Sequence, residues 1–128
     1  MLLFIGCGDD GIKAYNRGIE LYQQAYQRTV GSAERRQGME EAARWFGSAV
    51  QERPRLGESY FCLGLIQLEE LDELEGARRS FEQALELFAA GEFTATPPSR
   101  RSELTELTRR HLDTVKRLLG EGPAGEAE

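Results

Sequence analysis

The sequence predicts an all-α fold, and three observations carry that prediction. The composition is rich in Glu, Ala, Leu, Arg and Gln, which favour helices. Val and Ile, which favour strands, are scarce. Apolar residues recur at three- and four-residue steps almost without a break through residues 12–119. At 128 residues the chain has the size of one domain. We therefore predict a single domain of packed antiparallel helices.

The charge balance and the cysteines argue against several classes of protein. With 22 acidic and 16 basic residues the net charge is -6, whereas nucleic-acid binders usually carry a basic face. Cys7 and Cys62 are far apart, and neither belongs to a CxxC or Cys/His cluster, so they indicate neither a zinc site nor a disulfide framework. No apolar stretch approaches the ~20 residues of a membrane-spanning helix. We expect no nucleic-acid partner, no metal and no cofactor.

Three segments differ in character. Residues 1–11 begin apolar and then become polar, residues 12–119 carry the helical pattern, and residues 120–128 have no apolar pattern. A segment of the last kind is expected to be a disordered acidic tail, because it has nothing to bury. The middle segment is therefore the folded domain.

Breaks in the pattern divide the domain into five helices. Pro54 ends the second helix, because the residue before a proline is kept out of the α region. Asp72 is the expected N-cap of the fourth helix, and Gly91 fits its C′ position. Thr96 is the expected N-cap of the fifth helix, with Pro97 as its first residue. Counted from these caps, the predicted helices span residues 12–28, 35–52, 56–71, 72–90 and 96–119.

An internal repeat relates the second and fourth helices. Residues 41–50 match residues 76–85 at an offset of 35, a length typical of stacked helical hairpins. The coinciding pairs are Ala42 with Ala77, Arg44 with Arg79, Phe46 with Phe81, and Ala49 with Ala84. This Ala-x3-Phe-x2-Ala arrangement resembles the second helix of a tetratricopeptide repeat. Tyr60-x2-Leu63-Gly64 is similar to the signature of its first helix.

The resemblance to the tetratricopeptide family covers residues 11–90, which amounts to two repeats. It implies antiparallel helical hairpins stacked as a short right-handed array, with the fifth helix as a C-terminal capping helix. Gly18 and Gly64, the equivalent glycines, are 46 residues apart rather than 35, so the first repeat is elongated by 11 residues. Divided between two helices, these residues are expected to lengthen each by about a turn and a half.

In this family the first helix of each repeat lines a concave groove that binds a protein or peptide. When the groove positions of the family are transferred to this sequence, they fall on Tyr15, Ile19, Tyr22, Phe61, Leu65 and Glu69, with Ile12 at the edge. The Lys and Asn residues that hold a peptide carboxylate in chaperone-binding members are not at these positions. An apolar groove with tyrosines suits an amphipathic helix or an extended segment. Alternatively, the fifth helix or the N-terminal segment covers these residues and leaves no peptide site.

No catalytic constellation is visible in the sequence. His111, the only histidine, has no nucleophile or metal-ligand partner at a recognisable spacing. Gly6-Cys7-Gly8 is not followed by the Lys-Ser/Thr of a phosphate-binding loop. The resemblance to the tetratricopeptide family then implies a non-enzymatic protein–protein interaction module or scaffold. If that module is tethered to a membrane, we expect it to assist assembly of a cell-envelope complex. The alternative is a structural helical bundle, acting as a homo-oligomer subunit or a small accessory chain without a groove.

The N-terminus allows two interpretations. Leu3-Phe4-Ile5-Gly6-Cys7 resembles the end of a bacterial lipoprotein signal, in which the cysteine is lipidated after cleavage. The apolar run is shorter than a working signal core, and no basic region precedes it. The other interpretation is an apolar segment packed on the first helix, with Cys7 as a buried thiol. The lipoprotein interpretation, which we favour, places the protein in the cell envelope rather than the cytoplasm, with Cys7 as its membrane anchor.

Overall fold

The computed structural model describes residues 11–121, and these form five α-helices and no strand. The prediction of an all-α fold is therefore confirmed. The N-terminal segment with Cys7 and the acidic tail from residue 122 lie outside the described residues. The helices are α1 (Ile12–Tyr26), α2 (Ala33–Glu52), α3 (Gly57–Glu69), α4 (Leu74–Ala89) and α5 (Pro98–Leu118).

The helix starts differ from the prediction in three places. Helix α2 begins earlier, because the Ser32 hydroxyl accepts a hydrogen bond from the backbone N–H of Arg35 at 3.1 Å and caps the helix. Asp72 is not an N-cap but adopts a left-handed backbone conformation (φ 58°) in the turn before α4. Thr96 is not an N-cap either: Pro97 holds that position, and Thr96 bonds to a residue of α3 instead.

Gly91 ends α4 as predicted. Its φ of +82° is a conformation that favours glycine. The backbone N–H of Glu92 bonds to the carbonyl of Leu87 at 2.9 Å, and the N–H of Gly91 bonds to the carbonyl of Phe88 at 3.0 Å. These two bonds form a Schellman motif, which satisfies the last carbonyls of the helix and turns the chain toward α5.

The helices pack in the order of the chain. Helix α1 packs on α2, α2 on α3, α3 on α4 and α4 on α5. The pairs α1–α2 and α3–α4 are the two helical hairpins, and α5 covers the outer side of the second one. Each helix of the described part thus rests mainly on its sequence neighbours, as in an array of hairpins closed by a capping helix.

The two hairpins share one core contact. The ring of Phe46 lies against Gly18 in the first hairpin, and the ring of Phe81 lies against Gly64 in the second. A Cβ atom added to either glycine would stand 2.8 Å from the Cε1 atom of the facing ring. Both phenylalanines are 0% exposed. The glycines therefore permit the close approach of the helices, and the aligned phenylalanines occupy equivalent places.

The aromatic residue three positions before each glycine extends this equivalence. Tyr15 meets Phe46 edge-on, with ring centroids 5.8 Å apart and an interplanar angle of 61°. Phe61 meets Phe81 in the same way, at 6.0 Å and 63°. Edge-to-face contacts of this kind are favourable for aromatic pairs. The internal repeat is thus present as a repeated packing geometry as well as a sequence pattern.

The extra residues of the first hairpin are not divided equally between its helices, as the sequence analysis had expected. Between glycine and phenylalanine the first hairpin exceeds the second by 11 residues, of which three extend α1, two extend the turn and six extend α2. The added part packs through small side chains, since a Cβ on Gly38 would stand 2.7 Å from the Cβ of Ala25. Small residues at this crossing keep the longer helices in contact.

Arg35 connects the elongated hairpin to the second one. Its buried guanidinium donates to the two carboxylate oxygens of Glu70, with Nε–Oε1 at 3.0 Å and Nη2–Oε2 at 2.7 Å. It also donates to the backbone carbonyls of Tyr26 and Arg28, each at 3.3 Å. A bidentate pair of this kind fixes both the distance and the orientation of the two side chains. Arg35 therefore holds the end of α1 and the end of α3 in one arrangement.

Candidate partner-binding groove

A groove of about 750 Å³ lies between α1 and α5, with α3 as its floor. We call it the α1–α5 groove. Helix α1 contributes Ile19, Tyr22, Gln23 and Tyr26, and α3 contributes Phe61 and Leu65. The α4–α5 connection and α5 contribute Ala95, Thr96, Pro97, Arg100, Glu103, Leu104, Leu107 and His111. Most of these side chains are apolar or aromatic, which is typical of protein sites that bind apolar surfaces.

The α1 wall follows helical spacing. Ile19, Tyr22 and Tyr26 stand at positions i, i+3 and i+7, so they share one face of the helix. The rings of Tyr22 and Tyr26 stack with centroids 5.7 Å apart. Burial, and secondarily the carboxylate of Glu69, raises the pKa of Tyr22 to about 12. The Tyr22 hydroxyl is therefore a neutral donor near pH 7, and this wall carries no charge of its own.

The α5 wall repeats the same spacing. Leu104, Leu107 and His111 stand at positions i, i+3 and i+7. Leu107 is 39% exposed and belongs to the lining of the groove. Helix α5 packs on α4 through its neighbouring face, where Thr108, Leu112 and Val115 are buried. It thus forms a wall and leaves the groove open.

His111 lies in the aromatic floor of the groove. Its ring stacks on Phe81, with centroids 5.4 Å apart and an interplanar angle of 13°, and tilts against Phe61 at 6.1 Å. Burial lowers its pKa below the ordinary 6.5, and the carboxylate of Glu69 opposes this in part. The imidazole is therefore uncharged near pH 7 and acts as part of the apolar lining.

The lowered pKa of His111 predicts a pH dependence of stability. Because the unfolded chain binds this proton more readily, His111 favours the folded state above pH 6.5, and this contribution is lost as pH falls through the folded-state pKa. We expect the His111→Gln variant to lose less stability than the parent between about pH 7 and about pH 5. Urea unfolding of both chains across this range measures the difference, and parallel curves would contradict the assignment.

Glu58 fixes the closed end of the groove. Its side chain is 1% exposed, and its Oε2 atom accepts four hydrogen bonds from the α4–α5 connection. Three come from the backbone N–H groups of Thr94, Ala95 and Thr96, at 2.9, 2.8 and 3.1 Å. The fourth comes from the Thr96 hydroxyl at 2.8 Å. Successive backbone N–H groups that converge on one anion form a strong cradle for it.

The effect of Glu58 is to hold this connection against the first helices. Glu58 lies in the first turn of α3, where a negative charge also suits the helix dipole. Ala95 packs against the core cluster that contains Ile12 and Tyr15. The same connection supplies Ala95, Thr96 and Pro97 to the groove lining. A buried carboxylate therefore sets the shape of the groove at this end.

The predicted groove residues fall into three groups. Four of them border the α1–α5 groove: Tyr22 and Leu65 are partly exposed, whereas Ile19 and Phe61 are 1% and 3% exposed and belong to the core beneath it. Ile12 and Tyr15 do not line it: they are buried in the core, because the connection held by Glu58 and the ring of Phe46 cover them. Glu69 is exposed one helical turn beyond Leu65, outside the lining. Cys7, the predicted lipidation site, lies outside the described residues.

Glu58 and the α5 residues of the groove carry no clear signal in the sequence. A glutamate in the first turn of a helix is ordinary, and the donors that converge on Glu58 are backbone groups 36 to 38 residues away. The spacing of Leu104, Leu107 and His111 is the sequence pattern that could have indicated the α5 wall, but these residues adjoin the buried stripe of the same helix. The groove face and the buried face of α5 can be told apart only from the way the helix packs.

The described residues also bear on metal binding, membrane insertion and cysteine chemistry. Residues 11–121 contain no group of three His, Cys, Asp or Glu side chains placed to hold a metal ion. No helix in the same range has both the length and the apolar character needed to cross a membrane. Cys62 is buried, and burial raises the pKa of its thiol well above the ordinary value. It is therefore a protonated core residue near pH 7.

Comparison with known proteins gives no match to a family model, a curated protein or a solved structure. The class of the chain is therefore defined by its own geometry: an all-α protein of two helical hairpins and a capping helix, with an apolar groove beside the cap.

Proposed function

We propose that this chain is a non-enzymatic protein–protein interaction module of the tetratricopeptide type. Its α1–α5 groove takes an apolar segment of a partner protein, and the module assists the assembly of a cell-envelope complex. The observation that carries the proposal is the largely apolar lining between two helices whose facing side chains share one spacing, with Tyr26 and Leu107 exposed on opposite walls. Exposed apolar surfaces of this kind mark interaction sites more often than scattered single residues do.

The composition of the groove supports a protein partner. Tyr22 and Tyr26 offer large, rigid surfaces with a polar tip, and tyrosine is common among the residues that dominate binding energy at protein interfaces. Leu65 on the floor and Leu107 on the α5 wall, both at least partly exposed, supply apolar area beside these rings. A partner side chain that enters the groove would be desolvated on three sides, which favours tight local contacts.

The rigidity of the groove supports the same proposal. Arg35 holds the ends of α1 and α3 together, and Glu58 holds the α4–α5 connection. Both anchors use charge-assisted hydrogen bonds, which are stronger than neutral ones. A preformed groove loses little conformational entropy when a partner binds, so more of the contact energy is available for affinity.

The groove proposal can be tested by selection of displayed peptides. A library of peptides of about 18 residues, patterned to form helices of about five turns, is selected against the immobilised chain. The Leu107→Glu variant places a charge in the groove, and we expect it to enrich no peptide family that the parent enriches. Leu118→Glu, the same change on an α5 residue that is 60% exposed and outside the lining, should enrich the same peptides as the parent.

The outcomes separate the two functions considered from the sequence. Equal enrichment by the parent and the Leu107→Glu variant would contradict the groove proposal. Sedimentation of the same proteins tests the structural alternative: an oligomer that Leu107→Glu dissociates, together with no peptide enrichment, would assign the groove to contacts between copies of this chain. The Leu118→Glu control distinguishes either result from a general effect of added charge on α5.

The membrane tether is a separate part of the proposal. Lipidation of Cys7 would place the domain at an envelope membrane, where the groove could hold a partner near the surface. Mass spectrometry of the native protein's N-terminus tests it. A diacylglycerol-modified cysteine as the first residue would support the tether, and an unmodified chain that begins at Met1 would contradict it without affecting the groove.

A further inference from the structure

The charges of the α1–α5 groove cancel inside it. The two charged residues of its lining, Arg100 and Glu103, form an ion pair with Nε–Oε1 at 2.6 Å. His111 is uncharged near pH 7 because burial lowers its pKa. The remaining lining is apolar or neutral. A charge buried without a partner is costly, so the segment that fills this groove must present an uncharged face.

One end of the groove has an unbalanced negative charge. Phe61, Leu65 and Glu69 stand at positions i, i+4 and i+8 of α3, so Glu69 continues the floor of the groove by one turn. Its carboxylate is exposed and forms no ion pair with any described residue, whereas the adjacent Glu70 is neutralised by Arg35. Its influence on the pKa values of Tyr22 and His111 agrees with a place near both walls.

The end of α3 adds to this negative charge. Helix α3 ends here without a basic residue in its last turn, whereas the carbonyls at the end of α1 already accept hydrogen bonds from Arg35. The carbonyl ends of helices carry partial negative charge, which adds to the charge of Glu69. The opposite end is closed by the connection at Ala95, and its backbone N–H groups are already bonded to Glu58. A bound segment therefore leaves the groove past Glu69.

The geometry favours a helix over an extended segment. An extended peptide carries unpaired N–H and C=O groups, and the apolar walls of the groove offer them few partners. A helix satisfies these groups internally. The facing stripes that begin at Ile19 and Leu104 both span positions i to i+7, a length of about 10 Å or two turns. A partner helix that contacts both stripes would therefore bury about two of its turns in the groove.

We propose that the occupant of the α1–α5 groove is an amphipathic helix of a partner protein, with an uncharged apolar stripe that ends in a Lys or Arg beside Glu69. This inference rests on the proposed function and adds the secondary structure and the charge of the partner. Glu69 is then a specificity-determining residue. Its charge determines which end of the partner helix lies beside it, whereas the groove lining makes the apolar contacts.

Reversal of the charge at position 69 tests the inference. The same helical library is selected on the parent, on Glu69→Lys and on Glu86→Lys, a control with the same charge change at an exposed α4 residue outside the lining. The parent and the control should enrich peptides whose apolar stripe ends in Lys or Arg. Glu69→Lys should enrich peptides with the same apolar stripe but with Asp or Glu at that end.

A matched pair of synthetic peptides gives the size of the effect. One peptide from the parent selection is made with its terminal Lys and with Glu in that place, and binding is followed by fluorescence anisotropy. We expect the Lys form to bind the parent about threefold to tenfold more tightly, as for a partly exposed ion pair, and the order to reverse with Glu69→Lys.

The results distinguish this inference from the proposed function. The role of Glu69 would be overturned if the enriched peptides shared an apolar stripe but showed no preference for a charge at its end, or if the two synthetic peptides bound equally well. The groove proposal would remain intact. Equal enrichment from a second library of the same length and apolar content, patterned with the two-residue alternation of extended strands, would overturn the helical occupant. No enrichment beyond that of Leu107→Glu would overturn the proposed function and this inference together. Circular dichroism confirms that each variant is folded.

Discussion

Replacement of Phe46 by alanine is expected to lower the free energy of unfolding by about 3–5 kcal/mol, as for other large buried aromatics. The ring is 0% exposed and fills the space left by the missing side chain of Gly18. Its removal also ends the edge-on contact with Tyr15. The facing glycine has no side chain with which to fill the resulting cavity.

Phe81→Ala should have a similar cost, because Phe81 faces Gly64 and Phe61 in the same geometry. Urea or thermal unfolding of the two variants measures both values. Trp45→Ala is the matched control: it removes the aromatic residue next to Phe46, which is 39% exposed, and should cost about 1 kcal/mol or less. A loss well under 1 kcal/mol for either phenylalanine would contradict the equivalence of the two hairpins.

The second large effect is expected at Glu58. Glu58→Ala should lower the free energy of unfolding by about 3 kcal/mol, because three backbone N–H groups and one hydroxyl lose their shared acceptor. The cost is less than the sum of four charge-assisted bonds for two reasons. Water can reach part of the released connection, and the buried Oε1 atom, which has no partner, no longer has to be desolvated.

Hydrogen exchange locates the effect. The amides of Thr94, Ala95 and Thr96 should exchange faster in Glu58→Ala, while those in the middle of α2 change little. Thr96→Val removes the hydroxyl donor alone and should cost about 1 kcal/mol. Unchanged protection of the three amides in Glu58→Ala would show that Glu58 does not hold this connection.

The helices and the repeat were predictable from the sequence because their signals are local. Gly91 and Pro54 act on the backbone within one or two residues, wherever the chain is placed. The match of Phe46 with Phe81 predicted the repeat because it reflects helix packing. Two helices of a hairpin pack closely when a large side chain of one faces small residues of the other, and this holds whichever partner the protein binds.

The groove was predictable only in part, because it depends on the direction in which the capping helix lies. The position of Tyr15 in the first helix predicted a groove residue, but the connection held by Glu58 and the ring of Phe46 make it part of the core. The opposite wall comes from α5, for which the repeat alignment gives no template. Contacts such as those of Glu58 depend on backbone groups, which every residue carries, so no residue pattern marks them.

The order in which the helices pack also has a consequence for the speed of folding. The charge-assisted contacts from Arg35 to Glu70, between the hairpins, and from Glu58 to Thr96, between α3 and the α4–α5 connection, join residues only 35 to 38 positions apart. Chains whose native contacts are mostly local fold fast, because little entropy is lost before each contact forms. Folding can therefore begin in either hairpin and spread through the contacts between neighbouring helices.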